Sequence, residues 1–269
     1  MIAPHGRSGL IINGLSVRFG GLTAVDQVSL HAPAGSITGL IGPNGAGKTT
    51  TFNACTGVVS TRQGSVELEG ITLDGMSPAA RAHRGLGRTF QRMELFDNMT
   101  VAENVALGPE ALLSARRPWG QLFCTRRGRE TIREAAHSAL ERCGIAMLSN
   151  RIAGDLSTGQ RRLVELARAI ASPFRFLLLD EPSSGLDVME TERFGAILSK
   201  FVADSGMGIL LVEHDMHLVA RVCEFIYVLD FGQLIHSGPC AETLNSDVVK
   251  AAYLGAESVD LENEGTARA

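Results

Sequence analysis

Short apolar runs separated by turn residues open the chain. Residues 10–19, 25–32, 36–41 and 65–68 each have the length and patterning of a strand. Residues 47–56 (GKTTTFNACT) read as a helix stopped by Gly57. Between residues 100 and 143 the pattern becomes mostly helical. In ETIREAAHSALERCG, Ile132, Ala135, Ala136, Ala139, Leu140 and Cys143 share one face, and Gly144 ends the helix. A basic, irregular stretch, RRPWGQLFCTRRGR, lies between the helical parts. Strands and helices then alternate again. Residues 174–179, apart from Arg175, and 208–212 are continuously apolar, as parallel strands covered on both faces require. Residues 188–203 read as a helix, and 225–229 with 233–236 as a hairpin around 230–232. The pattern predicts an α/β core interrupted by a helical insert.

Composition narrows the class. The 269 residues suit one large domain, and an apolar share of 45% excludes dominant disorder. A net charge of −4 argues against a general electrostatic grip on nucleic acid. Thirty glycines with only 5% aromatics point to tight backbone turns around something, rather than an aromatic surface. No apolar run approaches the roughly 18 residues that cross a bilayer. The opening MIAPHGRSG lacks the apolar stretch of a signal peptide. The five cysteines (Cys55, Cys124, Cys143, Cys223 and Cys240) are odd in number, and no pair has C-x-x-C spacing. They are expected to be reduced packing residues of a cytosolic protein.

The strongest chemical signal is Gly42-Pro43-Asn44-Gly45-Ala46-Gly47-Lys48-Thr49, followed by Thr50. It fits G-x-x-x-x-G-K-[ST] and sits between a predicted strand and a predicted helix. Glycines let backbone N–H groups curl around phosphate oxygens, and the helix N-terminus adds partial positive charge. Lys48 is placed to reach the β- and γ-phosphates and Thr49 to hold Mg²⁺. The second signal is FLLLDEP, a buried strand ending in Asp180 and Glu181. Ligands gather beyond the carboxyl ends of parallel strands. Asp180 therefore suits the metal-associated carboxylate, and Glu181 a base that polarises the attacking water. The third is Leu156-Ser157-Thr158-Gly159-Gln160, where Ser157 and Gln160 have capping-box spacing ahead of an amphipathic helix closed by Pro173. It is a well-capped helix, and also a second helix N-terminus on offer to a phosphate.

The ordered set GPNGAGKTT, Gln91, LSTGQRR, FLLLDEP, Gly185-Leu186-Asp187 and His214 resembles the ATP-binding cassette ATPases over nearly the whole chain. The resemblance implies a P-loop NTPase (RecA-like) α/β core with an N-terminal antiparallel β-subdomain and a helical insert. The implied domain spans residues 10–255. Its core covers about 10–95 and 166–255 and its helical subdomain about 96–165, with flexible ends at 1–9 and 256–269. Phe19 would stack on adenine. Gln91 would sit in the loop that senses Mg²⁺ and water and faces the membrane partner. Ser157, Gly159 and Gln160 would form the signature turn, Asp187 would organise the dimer seam, and His214 would contact the γ-phosphate and Glu181. Two positions depart from the family pattern. Thr158 stands where glycine is usual, and Phe19 where tyrosine is commoner.

In this family the signature turn completes the ATP site of a second cassette. With a single phosphate loop, this chain is expected to be half of a homo- or heterodimer that sandwiches ATP and Mg²⁺. The partners implied are that second cassette, two transmembrane permease subunits and a substrate-binding protein, at the cytoplasmic face of the membrane. The segment GRTFQRMELFDNMTVAENV, the VEHDM motif and the tail DVVKAAYLGAE resemble the subfamily that takes up branched-chain amino acids. Cassettes for urea or other amides, or for lipid export, share parts of the pattern. A soluble cassette of Fe–S cluster assembly is the alternative of another class. The cluster Arg116, Arg117, Arg126, Arg127 and Arg129 reads as a solvated face of the insert, or as a surface near anionic lipid headgroups.

Overall fold

The computed structural model describes residues 8–89, 94–114 and 126–253. Strands β1 (Gly9–Phe19), β2 (Leu22–Pro33) and β3 (Ile37–Ile41) lead to helix α1 (Lys48–Thr56). Then come β4 (Gln63–Leu68), β5 (Ile71–Thr72), α2 (Pro78–His83) and β6 (Leu86–Arg88). Helices α3 (Val101–Ser114), α4 (Arg126–Arg142) and α5 (Thr158–Ala171) follow. The chain closes with β7 (Phe176–Asp180), α6 (Val188–Ser205), β8 (Gly208–Val212), α7 (Met216–Val222), β9 (Phe225–Asp230), β10 (Gln233–Pro239) and α8 (Cys240–Asn245).

Among the described residues the strands form two sheets. One is antiparallel, in the order β2-β1-β4-β5. The other runs β10-β9-β3-β8-β7-β6, parallel except for the β9–β10 hairpin. The continuous apolar runs have a simple origin. Leu177 and Leu179 of β7 face a core shared with α3 to α7, whereas Phe176 and Leu178 face a core shared with α1 and the antiparallel sheet. A strand between two cores cannot alternate apolar with polar residues. Each fully buried Leu contributes about 1.5–3 kcal/mol. The register continues to the chemistry: Asp180 pairs with Val212 at the carboxyl ends of β7 and β8.

The predicted apolar face of the insert is present, with Ile132, Ala136, Ala139, Leu140 and Cys143 buried. One expectation is corrected. Residues Arg126 to Arg129 are not irregular but open α4. Arg and Glu are strong helix formers, and an Arg126–Glu130 ion pair of 3.3 Å spans the first turn. Residues 116–125 of that stretch lie outside the described residues. Helix α5 runs unbroken through residue 165, where the sequence places the end of the insert. The pattern also does not announce α2, α7 or α8, each of six or seven residues. Helices that short are held by caps and packing rather than by periodicity; in α7 the Asp215 carboxylate accepts from His217 N and Leu218 N. Cys55, Cys143, Cys223 and Cys240 are free and buried. Burial pushes the Cys55 and Cys143 thiols up to about 12, which keeps them unreactive. Cys124 lies outside the described residues.

Candidate nucleotide site

The phosphate loop is built as its sequence demands. Gly47 stands at the N-cap of α1 with φ 101° and no side-chain cap, and no acid occupies the first turn. A side chain at Gly47 would press within 2.7 Å of the Ala24 carbonyl. The first-turn N–H groups are thus left to an anion from outside the helix. The Gly232 N–H donates to the Ala46 carbonyl at 3.0 Å, tying the loop to the β9–β10 turn. Lys48 is buried, and its Nζ donates to the carbonyls of Gly42 (2.6 Å) and Pro43 (2.8 Å). Burial lowers its ammonium pKa, while the nearby Glu181 and Asp180 carboxylates pull it back up. A cleft of about 270 Å³ is lined by Ala24, Asn44, Gly45, Ala46, Gly47 and Lys48 together with Thr49, Thr50, Glu181 and His214.

Asp180 ends β7 at 1% exposure. Its Oδ2 accepts from Arg88 Nη2 at 2.9 Å, and Arg88 Nη1 in turn donates to Asn53 Oδ1 at 2.6 Å. The Arg88 guanidinium lies 5.7 Å from the centre of the Phe52 ring. Burial raises the Asp180 carboxyl, opposed chiefly by Arg88. Its other oxygen, Oδ1, is buried with no hydrogen-bond partner. An anionic oxygen left without a donor beside a phosphate loop fits a divalent cation.

Glu181 adopts φ 48°, a left-handed conformation unusual for a side chain of this size. Such strain costs on the order of 1–3 kcal/mol and collects at functional sites. It turns the carboxylate into the cleft, where Oε1 meets His214 Nε2 at 2.8 Å. With the carboxylate accepting, Nε2 carries the proton.

The signature turn is built differently. Ser157 Oγ accepts from Gln160 N (3.3 Å) and Gln160 Oε1 accepts from Ser157 N (3.2 Å), a complete capping box. Asp187 and Glu190 form a second box on α6, at 2.8 and 3.3 Å. The two boxes touch. A Cβ at Gly159 would run into the Glu190 carboxylate. Ser157 and Thr158 are exposed, as is Asp187. None of them lines the cleft over Lys48, and neither does Phe19, which is 51% exposed where β1 turns into β2. Gln91 lies outside the described residues.

The structure thus joins the phosphate loop, Asp180, Glu181 and His214, and separately joins the signature turn to Asp187. Sequence reasoning passed over Arg88 and Glu213 as functional residues, although both fall inside stretches it quoted. Arg88 lies three residues before Gln91, and Glu213 directly precedes His214.

Comparison with known proteins agrees with this geometry. The family profile described as ABC transporter matches residues 25–184. The high-affinity branched-chain amino acid transport ATP-binding protein BraF of Pseudomonas aeruginosa is 39% identical, over 91% of this chain and 97% of its own. The lipopolysaccharide export system ATP-binding protein LptB of Escherichia coli is 34% identical over the same shares. The ADP conformation of MJ1267, an ATP-binding cassette of an ABC transporter, superposes with a TM-score of 0.80 at 31% identity, over 91% of this chain and 98% of that one. Fold, phosphate loop and relatives converge: the chain belongs to the ABC transporter family, as one of its ATP-hydrolysing cassettes.

Proposed function

We propose that the chain powers membrane import of branched-chain or other hydrophobic amino acids, as one of two cassettes seated on two permease subunits at the cytoplasmic face and served by a substrate-binding protein. BraF and the LivG proteins, at 38–39% identity over 91% of the chain, carry the cargo assignment in their names. No helix among the described residues is long and apolar enough to cross a membrane. Export of a lipid is the second reading, favoured by the LptB relatives at 34–35% identity. Uptake of labelled leucine by cells carrying the Glu181→Gln chain decides. The import reading expects uptake to fall to background, and unchanged uptake contradicts it.

The hydrolytic reading rests on one observation, the Glu181–His214 contact at the rim of a cleft floored by Lys48. The loop N–H groups and Lys48 bind the β- and γ-phosphates. An ammonium has three donors, and two of those on Lys48 rest on loop carbonyls. Thr49, Gln91 and the free Oδ1 of Asp180 would hold Mg²⁺, which when bound neutralises charge developing on the phosphates. Glu181 accepts the proton of the attacking water, and His214 fixes the carboxylate and reaches the γ-phosphate. Phe19 stacks on adenine. Ser157, Gly159 and Gln160 close the site of the second cassette, with Asp187 at the seam, and the same reading places the helical subdomain at about 96–165. Purified Glu181→Gln is expected to bind ATP and lose about 10²–10⁴-fold in turnover, the range for a general base. Unchanged hydrolysis would refute the assignment.

A further inference from the structure

We propose that Glu213 is a positioning residue for hydrolysis: its carboxylate clips the chain leaving β7 to the chain leaving β8 and thereby fixes the Glu181–His214 pair. The proposal rests on the reading of that pair as the hydrolytic one.

Strands β7 and β8 pair in parallel as far as Asp180 and Val212, and the last ladder-like bond is Glu181 N to Val212 O at 2.9 Å. Beyond it the two segments part, and backbone pairing no longer sets their separation. Glu213 takes over at this point. Its Oε1 accepts from Ser183 N at 2.8 Å, two residues after Glu181. Its Oε2 accepts from His214 N at 3.0 Å and Asp215 N at 3.4 Å. The side chain is 2% exposed. One rigid carboxylate therefore spans the turn that carries Glu181 and the turn that carries His214.

The residue type matters. A carboxylate offers only acceptors, so it can serve three N–H groups at once. A glutamine in its place turns an amide NH₂ toward one of them. An apolar residue leaves buried N–H groups unpaired. Carrying an acid this deep is unfavourable, because burial raises the carboxyl above its ordinary range. The three converging amides oppose that penalty. Asp215, the next clip in the chain, caps α7 and anchors the far side of His214. The catalytic distance of 2.8 Å is thus held between a stapled strand exit and a capped helix.

The test uses the full chain with Mg²⁺ and ATP, in Glu213→Gln, Glu213→Asp, His214→Ala, Glu181→Gln and the double variant Glu213→Gln/His214→Ala. Glu213→Gln is expected to lower kcat about 10–100-fold, as a displacement near 1 Å does. KM and the affinity for a fluorescent ATP analogue should stay within about twofold. Added to His214→Ala, Glu213→Gln should cost almost nothing more. Loss by the same factor in both backgrounds, KM rising in step with the fall in kcat, or full activity in Glu213→Gln would each overturn the proposal. If Glu213→Gln fails to fold, Glu213→Asp, which keeps the acceptors one methylene short, is read by the same criteria. If Glu181→Gln and His214→Ala themselves keep full turnover, the hydrolytic reading fails; if only the Glu213 variants do, the positioning role alone fails.

Discussion

The phosphate cleft and the signature turn use the same elements, helix N-termini and carboxylates, to opposite ends. In the cleft, hydrogen-bonding capacity is left open. Helix α1 has no side-chain cap, Asp180 keeps a buried oxygen without a donor, and Glu181 is held in a strained conformation. At the signature turn the capacity is closed, because Ser157 with Gln160 and Asp187 with Glu190 satisfy each other in two capping boxes. Exposure follows the same division. Lys48 and Asp180 are buried, while Ser157 and Thr158 are exposed and Val188 and Met189, beside Asp187, are 78% and 79% exposed. Apolar side chains left this open next to a rigid turn are suited to being covered by another protein. The contrast suits the proposed division, one region for a ligand and the other for a neighbouring chain.

The contrast can be broken from either side. The largest effect is expected at the buried ion pair beneath the cleft. Arg88→Met strands the Asp180 carboxylate and should cost about 3–5 kcal/mol of unfolding free energy in a denaturant titration. Lys48→Ala removes the buried cation over the loop. It should weaken ATP binding by about 1.5–3 kcal/mol, the range of a charged hydrogen bond, with little change at the signature turn. Retained nucleotide affinity would count against the phosphate-loop reading.

At the signature turn the expected effects are smaller and of another kind. Gly159→Ala pushes the Glu190 carboxylate off the Asp187 amide, so it should cost about 0.5–2 kcal/mol, the value of a lost cap. That cost should vanish in a Glu190→Ala background, where no carboxylate remains to displace. Equal costs in the two backgrounds would show that the two boxes are not coupled. Thr158→Gly is the mildest change. Glycine at the first helical position costs less than about 1 kcal/mol, and the effect should appear in the ATPase rate through the partner's site. An unchanged rate in a reconstituted transporter would make Thr158 neutral.

Much of the architecture was legible in the sequence because it is local. Strand lengths, the loop between β3 and α1, and the capped start of α5 are set by residues within a few positions of one another. The pairs that build the site are not local. Arg88 meets Asp180 only because the three-residue strand β6 adds to the edge of β7, and no periodicity announces so short an element. Glu213 is one more residue at the end of an apolar run until β7 and β8 are known to be neighbours. The contact of Gly159 with Glu190 likewise depends on how α5 and α6 pack. The sequence pattern singled out candidate residues for the chemistry. The partners that hold them in place emerged from the sheet order.

The proposed function requires a second cassette to complete the ATP site of this chain. Light scattering on the Glu181→Gln full chain, without ATP and then with saturating ATP and Mg²⁺, shows whether it does. ATP should double the particle mass, and adding Gly159→Asp should abolish the doubling while ATP still binds. A chain that stays monomeric with ATP bound, both alone and mixed with a second cassette of the same transporter, would contradict it.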